Sequence, residues 1–193
     1  MNLPNKLTLM RIILVPFCMF FIAYPVLGTI ASPIVALAIF GITSLTDMLD
    51  GKIARKYNLI TDLGKFLDPV ADKLLVIGSY IAVLVAHREN GLYVNIAFWC
   101  LFAIFFRELA VTSMRAIVMG KVDVAANWMG KCKTVSQMVC VIVAIIEPLF
   151  IELTKIDTKF IPTYVLLVFS ALMAVLSGLN YLKAYMPYLN PKK

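Results

Sequence analysis

The segment TSLTDMLDGKIARKYNLITDLGKFLDPVADKLLV, residues 43–76, decides how the rest of the chain is read. It links two apolar stretches and carries aspartates in pairs. Asp47 and Asp50 are three residues apart, at the end of one stretch; Asp68 and Asp72 are four apart, at the start of the next. Those spacings put side chains on one helical face. The connection is short, so the two helices are expected to be antiparallel neighbours with their carboxylates converging at one boundary. Left alone, such a cluster is unfavourable, because like charges repel and ionisable groups at membrane depth are costly. Protonation would relieve it, and so would divalent cations. Oxygen ligands at this density suit Mg²⁺, Mn²⁺ or Ca²⁺, and no His or Cys lies nearby to favour zinc. Lys52, Arg55, Lys65 and Lys73 offer a third remedy as plain ion-pair partners.

Small residues accompany the acids. Gly51 follows Asp50 inside a segment that otherwise reads as helix, at a cost of about 1 kcal/mol against Ala. Gly64 and Ala54 are also small. Beside a charged site, small residues let a bulky ligand or a backbone approach closely. Close helix packing is the competing explanation for each one singly.

The rest of the chain sets the environment. It has 193 residues, 62% of them hydrophobic and 15% charged, with a mean hydropathy of +0.90. A soluble domain is roughly 45–50% apolar and about 25% charged. A soluble globular protein, a disordered chain and a collagen-like chain are therefore excluded. The reading is an all-α polytopic membrane protein, one integral-membrane domain over residues 1–193. A spanning helix needs about 20 mostly apolar residues. Six transmembrane helices are expected, at roughly Leu7–Tyr24, Ile30–Leu45, Val70–Ala86, Leu92–Phe106 (running on towards Val118), Val135–Phe150 and Ile161–Tyr181. Two are short and are expected to continue as helix into polar segments. The first resembles a signal peptide, but its apolar run is too long, and retention is expected. With the N-terminus inside, 15 of the 18 Lys and Arg fall on the inner side and three outside. This places both termini and the aspartates at the cytoplasmic face, and the basic excess suits anionic lipid head groups. Nucleic acid is not an expected partner, since the basic residues are spread over short loops. Cys18, Cys100, Cys132 and Cys140 read as small buried hydrophobes.

Asp47-x-x-Asp50-Gly51-x-x-Ala54-Arg55, eight further residues, then Gly64-x-x-x-Asp68-x-x-x-Asp72 resembles the signature of the CDP-alcohol phosphatidyltransferases. All eight fixed positions are present. The resemblance implies the fold of that family and a chemistry in which a CDP-linked lipid, CDP-diacylglycerol, donates a phosphatidyl group to an alcohol and CMP leaves. It implies two divalent cations, Mg²⁺ or Mn²⁺, held by Asp47, Asp50, Asp68 and Asp72. Asp72 is also implied as general base; the alternative is a metal ligand only. Gly51, Ala54 and Gly64 would make room for the nucleotide, and Arg55 would contact a phosphate or else pair with Asp62. A homodimer is implied, with spans three and four as candidates for its interface, and a bacterial cell membrane as the location.

Other residues bear on the acceptor. Arg107, Glu108 and Arg115 lie along the inner end of the fourth span, with Gly130-Lys131-Cys132-Lys133-Thr134 just before the fifth. Lysines near a helix start favour anions. They suit a second phosphate, carried by the acceptor; positive-inside anchoring is the plainer reading of some of them. Arg107 follows Phe105-Phe106 and is expected within the membrane. The segments Pro4–Arg11, Phe106–Glu108 and Gly130–Thr134 resemble the family members whose acceptor is sn-glycerol 3-phosphate. That likeness places Asn5, Thr8 and Arg11 near the CDP-lipid, and Arg107, Arg115, Lys131 and Lys133 at the acceptor phosphate. Inositol phosphate and phosphatidylglycerol are the alternative acceptors. A cation transporter is the alternative from another class, although its acids would be expected near the midplane, often with an internal repeat.

Overall fold

A computed structural model describes residues 2–56, 61–118 and 128–189, and the side chains of Leu3, Met48, residues 50–56, Asp62, Lys65 and Leu189 fall outside that description. The described residues form six helices: α1 (Leu3–Ala23), α2 (Ala31–Lys56), α3 (Asp62–Ala86), α4 (Gly91–Val118), α5 (Trp128–Thr154) and α6 (Ile161–Leu189). All but α2 are long and apolar enough to cross a membrane; the apolar part of α2 is shorter, Ala31–Asp47. The helices outrun the apolar stretches mainly at one end of the bundle, where α2 continues to Lys56 and α3 begins at Asp62. In lipid every backbone group must be bonded internally, so a polar extension of a span is most simply more helix.

Two sets of three helices make the bundle. α1 packs on α2 and α3, and α6 packs on α4 and α5, while α5 also touches α2 and α3. α2 and α3 scarcely touch one another. The expected pairing of those two helices is thus corrected: both lean on α1, which lies between them. Small residues line the seams, as expected where lipid removes the hydrophobic drive and close packing takes over. Ala36, Ala71, Ala97, Ala144 and Ala174 are buried, and a Cβ on Gly78 would lie 2.7 Å from the Met19 sulfur. Tyr80 and Ser170 share a hydrogen bond of 2.9 Å that ties α3 to α6.

The end of the bundle away from the aspartates is closed by His87 and Glu147. Nδ1 of His87 is 2.8 Å from the Val83 carbonyl, and its ring packs on Tyr93 and Phe160. Glu147 accepts from the backbone N–H of Thr163 at 3.1 Å, in the first turn of α6. Burial pushes the His87 imidazole below its usual range, with the Val83 carbonyl and Glu147 opposing that shift. The unfolded chain therefore takes up this proton more readily. The stability contribution is full above about pH 6.5 and is lost as the pH falls. The expected result is a Tm that declines from pH 7 to pH 5 in the parent and declines less in His87→Gln, as read by thermal scans in detergent.

Candidate active site

Pro4 near the start of α1 begins the helix where a missing N–H costs nothing. Asn5, Thr8 and Arg11 then follow at three-residue steps on one face, and all are buried, Arg11 completely. Thr8 Oγ1 donates to Asp68 Oδ1 at 2.7 Å. An Arg11 Nη1 donates to Asp47 Oδ1. Thr61 Oγ1 donates to Asn5 Oδ1 at 3.0 Å. One face of α1 thus holds an aspartate of α2, an aspartate of α3 and the cap of α3. The sequence reading puts these three residues at the CDP-lipid; the structure puts two of them against acids of the cluster, where they orient carboxylates.

Thr61 is the N-cap of α3 and accepts from Gly64 N at 3.1 Å, satisfying one of the helix's orphan donors. Gly64 is small for a local reason. A Cβ there would lie 2.9 Å from Asn5 Oδ1 and 3.2 Å from Thr61 Oγ1. One turn on, Asp68 and Asp72 project from α3, both exposed, with Pro69 between them inside the helix. Asp47 is partly exposed at 43% of its side chain. Asp50, Gly51, Ala54 and Arg55 lie on the last turns of α2, but their side chains are outside the described residues, as is the Arg55–Asp62 pair.

Among the described residues, no three carboxylate, imidazole or thiol groups yet meet at metal-binding distance. The donor chemistry nevertheless fits hard divalent cations. The donors are all carboxylate oxygens, and Arg11 and Thr8 donate to Asp47 and Asp68 and so fix the orientation of those carboxylates.

A basic group lies beside the acids. The Asp72 carboxylate interacts electrostatically with Asp47 and also with Lys133 and Glu108. Lys133 is buried on α5, while Lys131, two residues earlier, is exposed. The Lys133 ammonium pairs with Glu108, and Arg107 Nη1 reaches the same carboxylate oxygen at 3.3 Å. Arg107 lies within the apolar helix α4 and is 8% exposed. Its Nη2 donates to Ser177 Oγ at 2.8 Å. Arg115, exposed two turns on, donates to the Tyr181 hydroxyl at 2.8 Å. The structure thus brings Arg107, Arg115 and Lys133 together around Glu108 and Tyr181, and leaves Lys131 outside.

Sequence reasoning did not single out Thr61, Ser177 or Tyr181, and gave Glu108 no role. Thr61 had a signal, since a Thr before Asp62 is an N-cap pattern. Ser177 and Tyr181 had none, because they meet Arg107 and Arg115 from a helix 70 and 66 residues away.

Comparison with known proteins shows the family of the chain. Residues 1–182 match the family model of the CDP-alcohol phosphatidyltransferases. The chain is 38% identical over 190 residues to a CDP-diacylglycerol–glycerol-3-phosphate 3-phosphatidyltransferase of Bacillus subtilis (strain 168), covering 93% of each chain. It is 35% identical over 187 residues to the enzyme of the same name from Escherichia coli (strain K12), covering 95% of this chain and 94% of that one.

Proposed function

We propose a reaction from one premise: this chain belongs to the CDP-alcohol phosphatidyltransferase family. It is an integral-membrane transferase of phospholipid biosynthesis that moves the phosphatidyl group of CDP-diacylglycerol to sn-glycerol 3-phosphate, giving phosphatidylglycerophosphate and CMP. The observation that carries this reading is the adjacency of two unlike sites. Asp72 is exposed on α3, and α5, which packs on α3, carries Lys133 of the buried basic group. A base for the attacking hydroxyl and an anchor for the acceptor's phosphate stand side by side.

The chemistry follows from those positions. Phosphoryl transfer is mainly a matter of positioning and charge stabilisation. The acceptor's phosphate is held by Arg107, Arg115 and Lys133, with Lys131 at the rim. Its C1 hydroxyl then lies towards Asp72, which accepts the proton as the hydroxyl oxygen bonds to the phosphorus that carries diacylglycerol. The bond from that phosphorus to the CMP oxygen breaks, and CMP leaves with the electron pair. Two divalent cations, Mg²⁺ or Mn²⁺, would be held by Asp47, Asp50, Asp68 and Asp72 and would neutralise the diphosphate. Thr8 and Arg11 support Asp68 and Asp47, Asn5 holds the cap of α3, and Gly51, Ala54, Arg55 and Gly64 border the nucleotide.

The charge bias of the chain supports an orientation with both termini and the site in the cytoplasm of a bacterial cell, six helices crossing the membrane. We also read the protein as a homodimer. The outward aromatic face of α4, with Phe98, Trp99, Phe102 and Phe106 exposed, is a candidate interface that crosslinking through cysteines placed on α4 would test.

The reaction is tested by CMP release from purified protein with CDP-diacylglycerol and Mg²⁺. sn-Glycerol 3-phosphate, inositol 1-phosphate, phosphatidylglycerol and serine are compared as acceptors. Release only with sn-glycerol 3-phosphate is expected. Release with another acceptor alone overturns the acceptor assignment, and none from folded protein brings back cation transport. Lys133→Ala and Arg107→Ala are each expected to raise the acceptor KM about tenfold to a hundredfold, as for loss of a hydrogen bond to a charged group, with the donor KM little changed. Equal rises in both KM values would argue against a separate acceptor-phosphate pocket.

A further inference from the structure

Tyr181 has an unusual setting. Its ring on α6 is buried, at 4% exposure, and two guanidiniums of α4 share it. The Arg115 carbon lies 4.8 Å from the ring centre, and the Arg107 carbon 5.6 Å. The hydroxyl accepts from Arg115 Nη2 at 2.8 Å. Two like charges on one ring repel each other, and the ring's negative faces offset part of that repulsion.

The surroundings are shaped to this arrangement. A Cβ on Gly130 would come within 2.9 Å of the Tyr181 hydroxyl, and one on Gly178 within 2.9 Å of Arg107 Cγ. Each glycine therefore clears the space for one half of the arrangement. Val111, Val118 and Tyr185 pack with Tyr181 in a small buried cluster. The arrangement also has a donor to spare: Arg107 Nε is buried with no hydrogen-bond partner. An unmade bond at a buried charged group is costly unless a ligand completes it. A phosphate dianion supplies the missing acceptor and adds a counter-charge to that of Glu108, which already pairs with Arg107 and Lys133.

We propose that Tyr181 is the positioning residue of the acceptor-phosphate subsite, its ring and hydroxyl holding Arg107 and Arg115 at the separation at which one phosphate engages both. The proposal rests on the reading above, that this basic group takes the phosphate of the acceptor. Tyr181 touches the arginines and acts through them. The ring meets both arginines and the hydroxyl accepts from Arg115, so the two parts are separable by substitution.

The test is steady-state CMP release by the purified full chain carrying Tyr181→Phe, Tyr181→Leu, Arg115→Ala or Tyr181→Phe with Arg115→Ala. Tyr181→Phe keeps the ring and is expected to raise the acceptor KM about tenfold. Tyr181→Leu loses both parts and is expected to raise it about a hundredfold. The donor KM should stay within about twofold and kcat at saturating acceptor within about threefold. In the Arg115→Ala background, Tyr181→Phe should add nothing further. If both KM values rise together, or the two changes multiply independently, Tyr181 merely supports the fold and the proposal is overturned. Should Tyr181→Leu not fold, the Phe variant and the double variant decide alone. The parent separates this outcome from failure of the underlying reading. If the parent uses inositol 1-phosphate, the same KM pattern is expected with that acceptor. If it uses only an acceptor without a phosphate monoester, both the reading and the proposal fail.

Discussion

Asp68→Asn is expected to lower kcat by about a hundredfold to a thousandfold while leaving the fold intact. The carboxylate is exposed on α3, so its loss opens no cavity. Its hydrogen bond from Thr8 at 2.7 Å is made through Oδ1, and an asparagine retains an oxygen at that place. What disappears is one negative charge among the proposed ligands. Removing a group that acts by charge at a phosphoryl-transfer site costs several kcal/mol of transition-state stabilisation, on the order of 2.7–4 kcal/mol for a single electrostatic contact in other enzymes. Circular dichroism and the Tm should be little changed, because exposed substitutions away from packing features usually shift stability by about 0.5 kcal/mol or less. Full activity of Asp68→Asn at limiting Mg²⁺ would sink the two-cation proposal. Asp72→Asn should show a loss of similar size by a different route, since general-base catalysis is worth about 10²–10⁴ in rate.

Removal of divalent cations should have an equally large effect. In excess EDTA, CMP release is expected to fall to background, and Mg²⁺ or Mn²⁺ in excess of the chelator to restore it. Zn²⁺ should restore it poorly, because the donors are carboxylates and not imidazole or thiolate. Binding has a second readout independent of turnover. A cation that binds only the folded state stabilises it by about 2.7 kcal/mol at a hundred times its Kd. The Tm of the parent should therefore rise with added Mg²⁺, and that rise should shrink in Asp68→Asn. A parent whose Tm and CMP release both ignore EDTA and Mg²⁺ would show that the aspartates serve as plain ion-pair partners.

Much of the site was legible because its parts lie close together in sequence. The pairs Asp47/Asp50 and Asp68/Asp72 declare a shared helical face by spacing alone, and the connection between them is short. The helical extensions of α2 and α3 were legible too, since the acids follow the apolar runs without a break. The relation between the two helices was not. A short connection suggests neighbours, yet α1 lies between them, and Arg11 and Thr8 supply the contacts that gather the acids. Nothing in the spacing of residues 43–76 contains that information.

The basic group shows the same division. Lys131 and Lys133 look equivalent in a chain of letters. They are two residues apart, about 200° around a helix, so one faces the bundle and the other leaves it. The sequence does not say which, because that depends on where α4 and α6 sit. Gly64, read as space for a ligand, also leaves room for Asn5 and Thr61, which meet beside it.

By itself, the sequence determined that this chain is helical and built of apolar spans, and that four aspartates fall at the facing ends of two of them. Composition and short-range spacing suffice for that, since lipid forces the backbone into helix and a helix repeats every 3.6 residues. Only the tertiary structure decided that α1 is the strut behind the aspartates, that Lys133 and not Lys131 faces Glu108, and that Tyr181 holds two arginines. Those contacts join residues up to 70 positions apart, and their geometry comes from how whole helices pack, which no local pattern encodes.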